Sequence, residues 1–237
     1  MFSIIIVTWN NLKQAKECVG SIRDNSYYND HEVIVVHNDV SILESPIDNV
    51  KNIDYRSNIG FSKAANAGAD LAKKDYICII DDDTTVTRNW DKHLLDAQLQ
   101  TKSNWVCSTR IEPIAPKWNI SVESYRRGFR PYLWYRNISN APLLIPNNVW
   151  EAIGGYDEDF PNVGAELGLA KKAYDYGIRD FLQTPLSIAF HKQSQSMKRL
   201  PDIKNDRIKR DQIFKSKYGI TRKKFVKVIG KGNVYEK

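Results

Sequence analysis

A short apolar run that leads into three consecutive carboxylates constrains the fold of this chain more than any other stretch. Residues 76–80, YICII, are rich in β-favouring side chains and too few for an isolated helix, so they predict a buried central strand. Asp81, Asp82 and Asp83 follow directly. Three carboxylates this close repel one another unless a positive group lies among them. Since open α/β sheets bind ligands outside the carboxyl ends of their strands, the stretch predicts a binding site there.

The acidic cluster (Asp81, Asp82 and Asp83) has two interpretations. Hard oxygen ligands in a tight group suit Mg²⁺ or Mn²⁺, and these ions in turn hold phosphate oxygens. Alternatively, the cluster is an acidic turn that begins the next helix, because Asp and Thr favour both positions. Short acidic runs are common at protein surfaces, so the order of the other elements has to decide.

Strand-like and helix-like segments alternate along the chain, which predicts an α/β fold. Before the acidic cluster, strands are expected at residues 3–7, 32–36 and 50–55, and helices with apolar faces follow Asn11 and Gly60. Neither GxGxxG after the first strand nor GxxxxGKS/T occurs in the sequence. This argues against a dinucleotide enzyme and a P-loop NTPase, so a phosphate-bearing ligand would need a metal.

The second half of the chain continues the alternation. After a helix that Thr87 is expected to cap, strands are predicted at 105–109, 141–145 and 186–190, a short helix after Pro146, and a helix that ends at Gly177. Residues 112–140 combine prolines, aromatic residues and arginines without a clear periodicity. They are either a functional binding loop or an irregular loop packed by its own aromatic side chains.

The length, the cysteines and the apolar runs indicate a cytoplasmic protein with one large domain, or with one domain and an appendage. The chain has 237 residues, enough for a substantial core. Cys18, Cys78 and Cys107 lie in apolar segments and have neither metal-ligand nor disulfide spacing, which indicates reduced core residues. The apolar run at residues 2–7 is too short for a signal peptide, and no apolar run reaches transmembrane length.

The net charge of +7 is unevenly distributed. Residues 192–237 carry 15 Lys and Arg against 4 Asp and Glu, whereas residues 1–191 carry 20 against 24. The basic tail has three interpretations: a solvated helical appendage, a peripheral contact with an anionic membrane, or a nucleic-acid contact. Nucleic acid is disfavoured because no recognised binding motif accompanies the charge. Four side chains would supply an apolar face for a membrane: Phe214, Tyr218, Phe225 and Val228.

Five motifs, in order, resemble family-2 glycosyltransferases with the nucleotide-sugar-binding GT-A fold. They are IIIVTWN at the first strand, EVIVVHND at the second, NIGFSKAANAG leading into YICIIDDDT, LLIPNNVWEAIGGYDEDF, and AELGLAKKA with a later strand and His191. Each motif alone is weak, but the ordered set is specific. The resemblance covers about residues 2–196 and leaves the tail out.

The resemblance implies a single-domain α/β fold of the GT-A type, with a mostly parallel central sheet and helices on both faces. Residues 1–110 would form the nucleotide-sugar-binding half, and residues 111–196 the acceptor-binding and catalytic half of the same domain. Residues 197–237 would be a basic, helical C-terminal tail.

The resemblance also implies roles for particular residues. Asp81, Asp83 and His191 would bind a divalent metal, Mn²⁺ or Mg²⁺. Glu166 matches the position of the family's general base, and Asp157 competes for that role, although it also suits a turn cap. Nine residues would contact the nucleotide-sugar: Thr8, Asn10, Asn38, Asp39, Asn58, Gly60, Asn66, Asp81 and Asp82.

The sequence departs from the family pattern at two of these places. His37-Asn38 stands where members often carry Asp-Asp or Asp-Asn, so a carboxylate that recognises the nucleobase would have to come from Asp39. Ala165-Glu166 replaces Glu-Asp, which lengthens the side chain of the general base by one methylene.

The implied reaction is an inverting, metal-dependent transfer of a sugar from a UDP- or dTDP-linked donor to a hydroxyl of a glycan or lipid-linked glycan. The VTWN motif favours rhamnosyltransferase-like members. One alternative is a sugar-phosphate nucleotidylyltransferase, which would need a glycine-rich loop that residues 8–11 lack. Another is a glycan- or nucleotide-sugar-binding relative with weak catalysis. The presence of the acidic cluster, Glu166 and His191 counts against it.

Overall fold

The computed structural model describes residues 1–39, 46–114, 117–119, 133–134, 138, 140, 142–192 and 202–229. Within these ranges the elements are β1 (Phe2–Thr8), α1 (Leu12–Asn25), β2 (Glu32–His37), β3 (Lys51–Asp54), α2 (Phe61–Ala69), β4 (Tyr76–Asp81), β5 (Thr84–Val86), α3 (Trp90–Thr101), β6 (Val106–Ile114), β7 (Lys117–Asn119), β8 (Leu133–Trp134), β9 (Leu143–Pro146), α4 (Asn147–Ile153), α5 (Ala165–Tyr176), β10 (Leu182–His191), α6 (Ile203–Tyr218) and α7 (Arg222–Ile229). The binding-loop prediction for residues 112–140 lies mostly outside the described residues.

The central sheet is mostly parallel, as predicted. Its strand order is β3-β2-β1-β4-β9-β6-β10-β5, with β7 paired to β6 and β8 to β10. β1 pairs in parallel with β2 and β4, β2 with β3, and β6 with β10. β9 runs antiparallel between β4 and β6, and β5 runs antiparallel to β10. The carboxyl ends of the co-directional strands β1, β2, β4, β6 and β10 therefore share one edge of the sheet.

Helices cover both faces of the sheet and bury an apolar cluster on each. Ile4 and Ile6 of β1 pack in one cluster with residues of α1 and α3, whereas Ile5 packs in the other with residues of α2, α4 and α5. All three isoleucines are fully buried. Burial on both sides explains why the strand sequence shows no polar alternation. The three cysteines are buried and form no disulfide, as predicted for core residues.

The predicted elements lie at their expected places, with two local differences. Thr87 does not cap α3: its hydroxyl donates to the carbonyl of Ile188 at 3.0 Å, and the helix begins after Asn89. Strand β10 begins at Leu182, before the predicted start at residue 186. This earlier part of the strand includes Gln183, whose buried side chain donates a hydrogen bond to Thr109 Oγ1 at 2.9 Å. A buried polar side chain with a partner is compatible with a central strand, but it hides the strand from an apolar pattern.

The C-terminal helices pack their apolar residues against the rest of the protein. Phe214 and Phe225 are buried in the core cluster on the α4–α5 face, and the ring centroid of Phe214 lies 6.1 Å from that of Phe160. This corrects the expectation that these side chains form a membrane-facing surface. In the described part of the chain, no helix has both the length and the apolar character that crossing a bilayer requires.

Asp157 anchors α6 to the loop before α5. Its carboxylate accepts hydrogen bonds from Lys217 Nζ at 2.7 Å, from the hydroxyl of Tyr218, and from the N–H of Asp159 at 3.2 Å. Burial raises the pKa of this carboxyl, but the bonds from Lys217 and Tyr218 outweigh burial and hold the pKa below its ordinary value. The carboxylate therefore stabilises the fold in its ionised form.

Replacing Asp157 with Asn should lower the free energy of unfolding by about 1–3 kcal/mol at pH 7, because the buried bonds to α6 lose their charged acceptor. A lowered pKa contributes stability above the ordinary value of about 4 and loses it as pH falls through the folded-state pKa. In urea denaturation, the gap between wild type and variant should therefore narrow from pH 7 to pH 3.5. Asp159→Asn, whose side chain is 61% exposed beside the same lysine, is the matched control. Equal losses in both variants would contradict the anchoring role.

Candidate functional site

The shared carboxyl edge of the strands opens into a cavity of about 250 Å³. Its walls come from the ends of β1, β2, β4 and β10, from Arg110 within β6, from the turn into α2, and from the start of α5. The lining residues are Val7, Trp9, Asn38, Asn58, Phe61, Asp81, Asp82, Asp83, Arg110, Asn140, Asn162, Gly164, Glu166 and His191. The acidic cluster therefore lies where an open α/β sheet binds its ligand.

Asp81, Asp83 and His191 form an Asp–Asp–His triad in this cavity. Nε2 of His191 lies 3.1 Å from Asp83 Oδ1 and 3.9 Å from Asp81 Oδ2, and the triad offers donor atoms within 4.8 Å of one another. The short strand β5 explains the proximity, since it turns back from β4 and pairs with β10, placing His191 opposite Thr84. Two carboxylates and an imidazole in this arrangement fit a divalent cation such as Mn²⁺ or Mg²⁺.

The electrostatics of the triad indicate a shortage of positive charge. Burial raises the pKa of Asp81, and burial together with the charge of Asp83 raises the pKa of Asp82 to about 7. Burial lowers the pKa of His191, but the hydrogen bond with Asp83 and the charge of Asp81 outweigh burial and raise it above its ordinary value. A bound divalent cation would supply the missing charge.

Glu166 lines the same cavity from the first turn of α5. The helix starts after Gly164, whose φ of +92° is accessible to glycine at little cost. Burial, and after it the charge of Asp81, raise the pKa of Glu166 to about 7. A carboxyl with a pKa near neutrality is suited to accept a proton at physiological pH. Asp157, the competing candidate, is not among the lining residues and bonds to α6.

Two of the predicted nucleotide-sugar contacts, Asn38 and Asn58, line the cavity and are hydrogen-bonded to each other. Asn38 Nδ2 donates to Asn58 Oδ1 at 3.1 Å, and Asn38 Oδ1 accepts from the N–H of Ile59 at 2.8 Å. The side chain at the end of β2 thereby fixes the turn that leads into α2. Asp81 and Asp82, also predicted contacts, lie beside them in the lining.

Three further predicted contacts surround the cavity without lining it. Thr8 is fully buried at the end of β1. Asp39 is buried too, and its Oδ2 accepts a hydrogen bond from the N–H of Asn10 at 2.6 Å. This bond ties the residues after β1 to those after β2, so it shapes the wall that Trp9 and Asn38 present.

The last two predicted contacts, Gly60 and Asn66, also lie outside the lining. Gly60 has a φ of +88°, and a Cβ there would come within 2.9 Å of Pro161 Cβ, so a glycine is required where the two loops touch. The side-chain amide of Asn66 is hydrogen-bonded to the backbone of Tyr156. Asn66 Oδ1 accepts from the N–H of Tyr156 at 2.8 Å, and Asn66 Nδ2 donates to the carbonyl of Tyr156 at 3.0 Å. Both residues join α2 to the segment before α5.

Seven lining residues have no site role in the sequence-based prediction: Val7, Trp9, Phe61, Arg110, Asn140, Asn162 and Gly164. Trp9 and Arg110 follow the predicted ends of parallel strands, so the strand-end rule applied to Asp81 also points to them. Asn140 and Asn162 belong to irregular segments and carry no periodic signal. Arg110 adds a positive charge to a cavity that is otherwise rich in carboxylates.

Comparison with known families identifies the class of protein. The model of the family described as Glycosyl transferase family 2 matches residues 3–154, so this chain belongs to that family. A glucosyl-dolichyl phosphate glucuronosyltransferase from Haloferax volcanii is 24% identical over 211 residues, which cover 81% of this chain and 67% of that protein.

Solved structures of glycosyltransferases share the fold. GalNAc-T7 with UDP, GalNAc and Mn²⁺ superposes with a TM-score of 0.67 at 15% identity, covering 91% of this chain and 50% of that one. S. aureus TarS 1-349 in complex with UDP-GlcNAc gives a TM-score of 0.61 at 15% identity, covering 90% of this chain and 66% of that one. The chain thus spans between half and two thirds of these neighbours' length. At such identity the likeness shows the fold alone, which is GT-A.

Proposed function

We propose that this protein is an inverting glycosyltransferase that moves a sugar from a nucleoside-diphosphate donor to a hydroxyl of a glycan or lipid-linked glycan. The observation that carries the proposal is that the Asp–Asp–His triad and Glu166 line one cavity at the carboxyl edge of the sheet. The same cavity thereby offers the triad, which could neutralise the leaving diphosphate through a metal, and Glu166, which could accept the proton of the acceptor hydroxyl.

The triad would hold the divalent metal, Mn²⁺ or Mg²⁺. When bound, that ion neutralises the negative charge that grows on the leaving diphosphate as the sugar departs. Asp82 lies beside the triad and is proposed to face the ribose or the diphosphate, while Asn38 and Asn58 are proposed to contact the nucleoside. Thr8, Asn10, Asp39, Gly60 and Asn66 then shape this pocket from behind.

Glu166 is proposed as the general base. The acceptor hydroxyl attacks the anomeric carbon from the face opposite the leaving group and must lose its proton, which Glu166 takes up as the new bond forms. A single activating carboxylate and one displacement invert the anomeric centre, by the logic of inverting glycoside hydrolysis. The pKa of about 7 leaves a large part of Glu166 ionised at neutral pH.

The relatives support a choice of substrates. UDP in the GalNAc-T7 structure and UDP-GlcNAc in the TarS structure support a UDP-linked donor here, and the dTDP-linked donor stays a prediction from the sequence. The Haloferax volcanii relative is named for a dolichyl phosphate-linked sugar, which supports a lipid-linked acceptor. The rhamnosyl-like donor stays a prediction from the VTWN motif.

Two alternatives are less well supported. The family match favours sugar transfer over nucleotidyl transfer, and residues 8–11 provide no glycine-rich loop. A binding relative with weak catalysis would not need a carboxylate with a raised pKa, such as Glu166, in the same cavity as the triad. Release of UDP from UDP-sugars in the presence of Mn²⁺ distinguishes an enzyme from such a binder.

We further propose a cytoplasmic protein that contacts anionic membranes peripherally through residues 197–237. Since Phe214 and Phe225 are buried, the contact would be electrostatic and would use the exposed lysines and arginines of α6 and α7. Each basic residue near an anionic surface contributes about 1 kcal/mol. A lipid-linked acceptor lies at such a surface, which supports this part of the proposal.

Removal of the metal should abolish sugar transfer. In the metal-dependent account, chelation and Asp83→Ala each eliminate turnover of UDP- and dTDP-sugars, and Asp83→Ala also removes the rise in melting temperature that Mn²⁺ with UDP produces. Asp159→Asn, an exposed acid outside the cavity, serves as the control and should keep both properties. Full activity in excess chelator would exclude the metal role.

Loss of the Glu166 carboxylate should affect turnover and spare donor binding. Glu166→Gln keeps the shape but cannot accept a proton, so kcat should fall by about 10²-fold or more while donor affinity changes only a few-fold. Wild-type kcat should also fall as the pH is lowered, because Glu166 becomes protonated. Asp157→Asn should cost much less activity. A fully active Glu166→Gln beside an inactive Asp157→Asn would show that the wrong carboxylate was assigned.

Binding to anionic membranes should depend strongly on salt. Vesicles that contain phosphatidylglycerol should sediment the protein at low ionic strength and release it at high salt, because exposed charges are screened within ~8 Å at physiological ionic strength. The triple variant Lys223→Glu, Lys224→Glu, Lys227→Glu should bind weakly at any salt, since these lysines of α7 are exposed. Binding that is insensitive to salt would contradict an electrostatic contact, and no binding would argue for a solvated appendage.

A further inference from the structure

The two carboxylate oxygens of Asp81 face different partners. Oδ2 faces Nε2 of His191 at 3.9 Å, on the side of the triad. Oδ1 accepts a hydrogen bond from Nδ2 of Asn140 at 3.3 Å. The carboxylate is therefore held from one side by a neutral amide while its other oxygen is presented to the metal site.

The amide of Asn140 has a fixed orientation. It must turn its NH₂ group toward Asp81, because its oxygen would be repelled by the carboxylate. The amide oxygen then accepts a hydrogen bond from the hydroxyl of Tyr156 on the opposite side. Asn140 and Tyr156 are each only 1% exposed, so water does not compete for the hydrogen bond between them.

Tyr156 is itself held in place by its neighbours. Asn66 of α2 bonds both its N–H and its carbonyl, at 2.8 and 3.0 Å. Its ring meets Phe61 and Trp150 edge-on, with centroids 5.3 and 5.5 Å away. The preceding Gly155 lets the chain approach Asn66 closely, since a Cβ there would lie 2.5 Å from Asn66 Oδ1. The hydroxyl thus has little freedom to move away from Asn140.

We propose that Tyr156 and Asn140 are positioning residues that fix the Asp81 carboxylate for metal binding, through the chain of bonds from Tyr156 to Asn140 to Asp81. The inference rests on the proposed metal site. It also gives Asn66 a role. This side chain was predicted to contact the nucleotide-sugar, but it bonds to the backbone of Tyr156, the residue at which the chain of bonds begins. Partners that orient a metal ligand in this way are typically worth 10–100-fold in metal affinity.

The test is the affinity for Mn²⁺, measured by electron paramagnetic resonance of the free ion. Tyr156→Phe keeps the ring and its contacts but removes the hydroxyl, and it should weaken Mn²⁺ binding by about 10–100-fold. Tyr176→Phe is the matched control, since Tyr176 lies on α5 with 54% exposure and should bind Mn²⁺ as wild type does. Thermal unfolding without metal checks that each variant is folded.

A second variant separates positioning from a general structural effect. Asn140→Leu resembles asparagine in shape but has no polar atoms, so it should weaken Mn²⁺ binding by a similar factor. Because Tyr156 acts through Asn140, the double variant should lose no more affinity than Asn140→Leu alone. If Tyr156→Phe does not fold, Asn140→Leu carries the test.

Three results would overturn the inference. Wild-type Mn²⁺ affinity in Tyr156→Phe, or in Asn140→Leu, would show that Asp81 needs no such support. Losses that multiply in the double variant would show that the two residues act independently. A wild-type protein that takes up no Mn²⁺ would instead contradict the metal site of the proposed function, and with it this inference.

Discussion

The crowding of four carboxylates around one cavity, two of them buried and two partly buried, is the constraint on which the rest of the site depends. The acidic cluster and Glu166 all line that cavity. Two like charges about 4 Å apart repel by about 4 kcal/mol at an effective dielectric constant of about 20. A domain has only about 5–15 kcal/mol of net stability, so such repulsion has to be compensated. The raised pKa of Asp82 and of Glu166, the nearby Arg110 and the geometry of the triad all reflect this requirement.

Long-range contacts hold the residues that surround these charges. Asn66 on α2 binds the backbone of Tyr156, 90 residues later in the sequence, and Asp157 then binds Lys217 on α6. Next to them, Arg210 of α6 packs so closely on Gly164 that a Cβ at the glycine would lie 2.4 Å from Arg210 Cδ. The basic C-terminal helices therefore support the loop that leads into Glu166, in addition to any contact they make with a membrane.

The sequence was most informative where local chemistry decides the structure. Continuous β-branched runs predicted the buried parallel strands, and the rule that ligands bind at strand ends predicted the cavity with Asp81 and Asp83. It was less informative for polar side chains in loops, because a hydrogen bond such as that from Asn140 to Asp81 joins segments with no shared pattern. Asn66 shows the same limit, since an asparagine in a helix next to a site binds a ligand or a distant backbone equally well.

The central claim is that a divalent cation lies among Asp81, Asp83 and His191. Anomalous diffraction from crystals grown with Mn²⁺ and UDP tests this claim most directly, because it locates manganese independently of activity. The account predicts one strong peak within about 2.0–2.3 Å of oxygens of Asp81 and Asp83 and of a His191 ring nitrogen. A peak elsewhere in the protein, or UDP bound in the cavity without manganese, would contradict it.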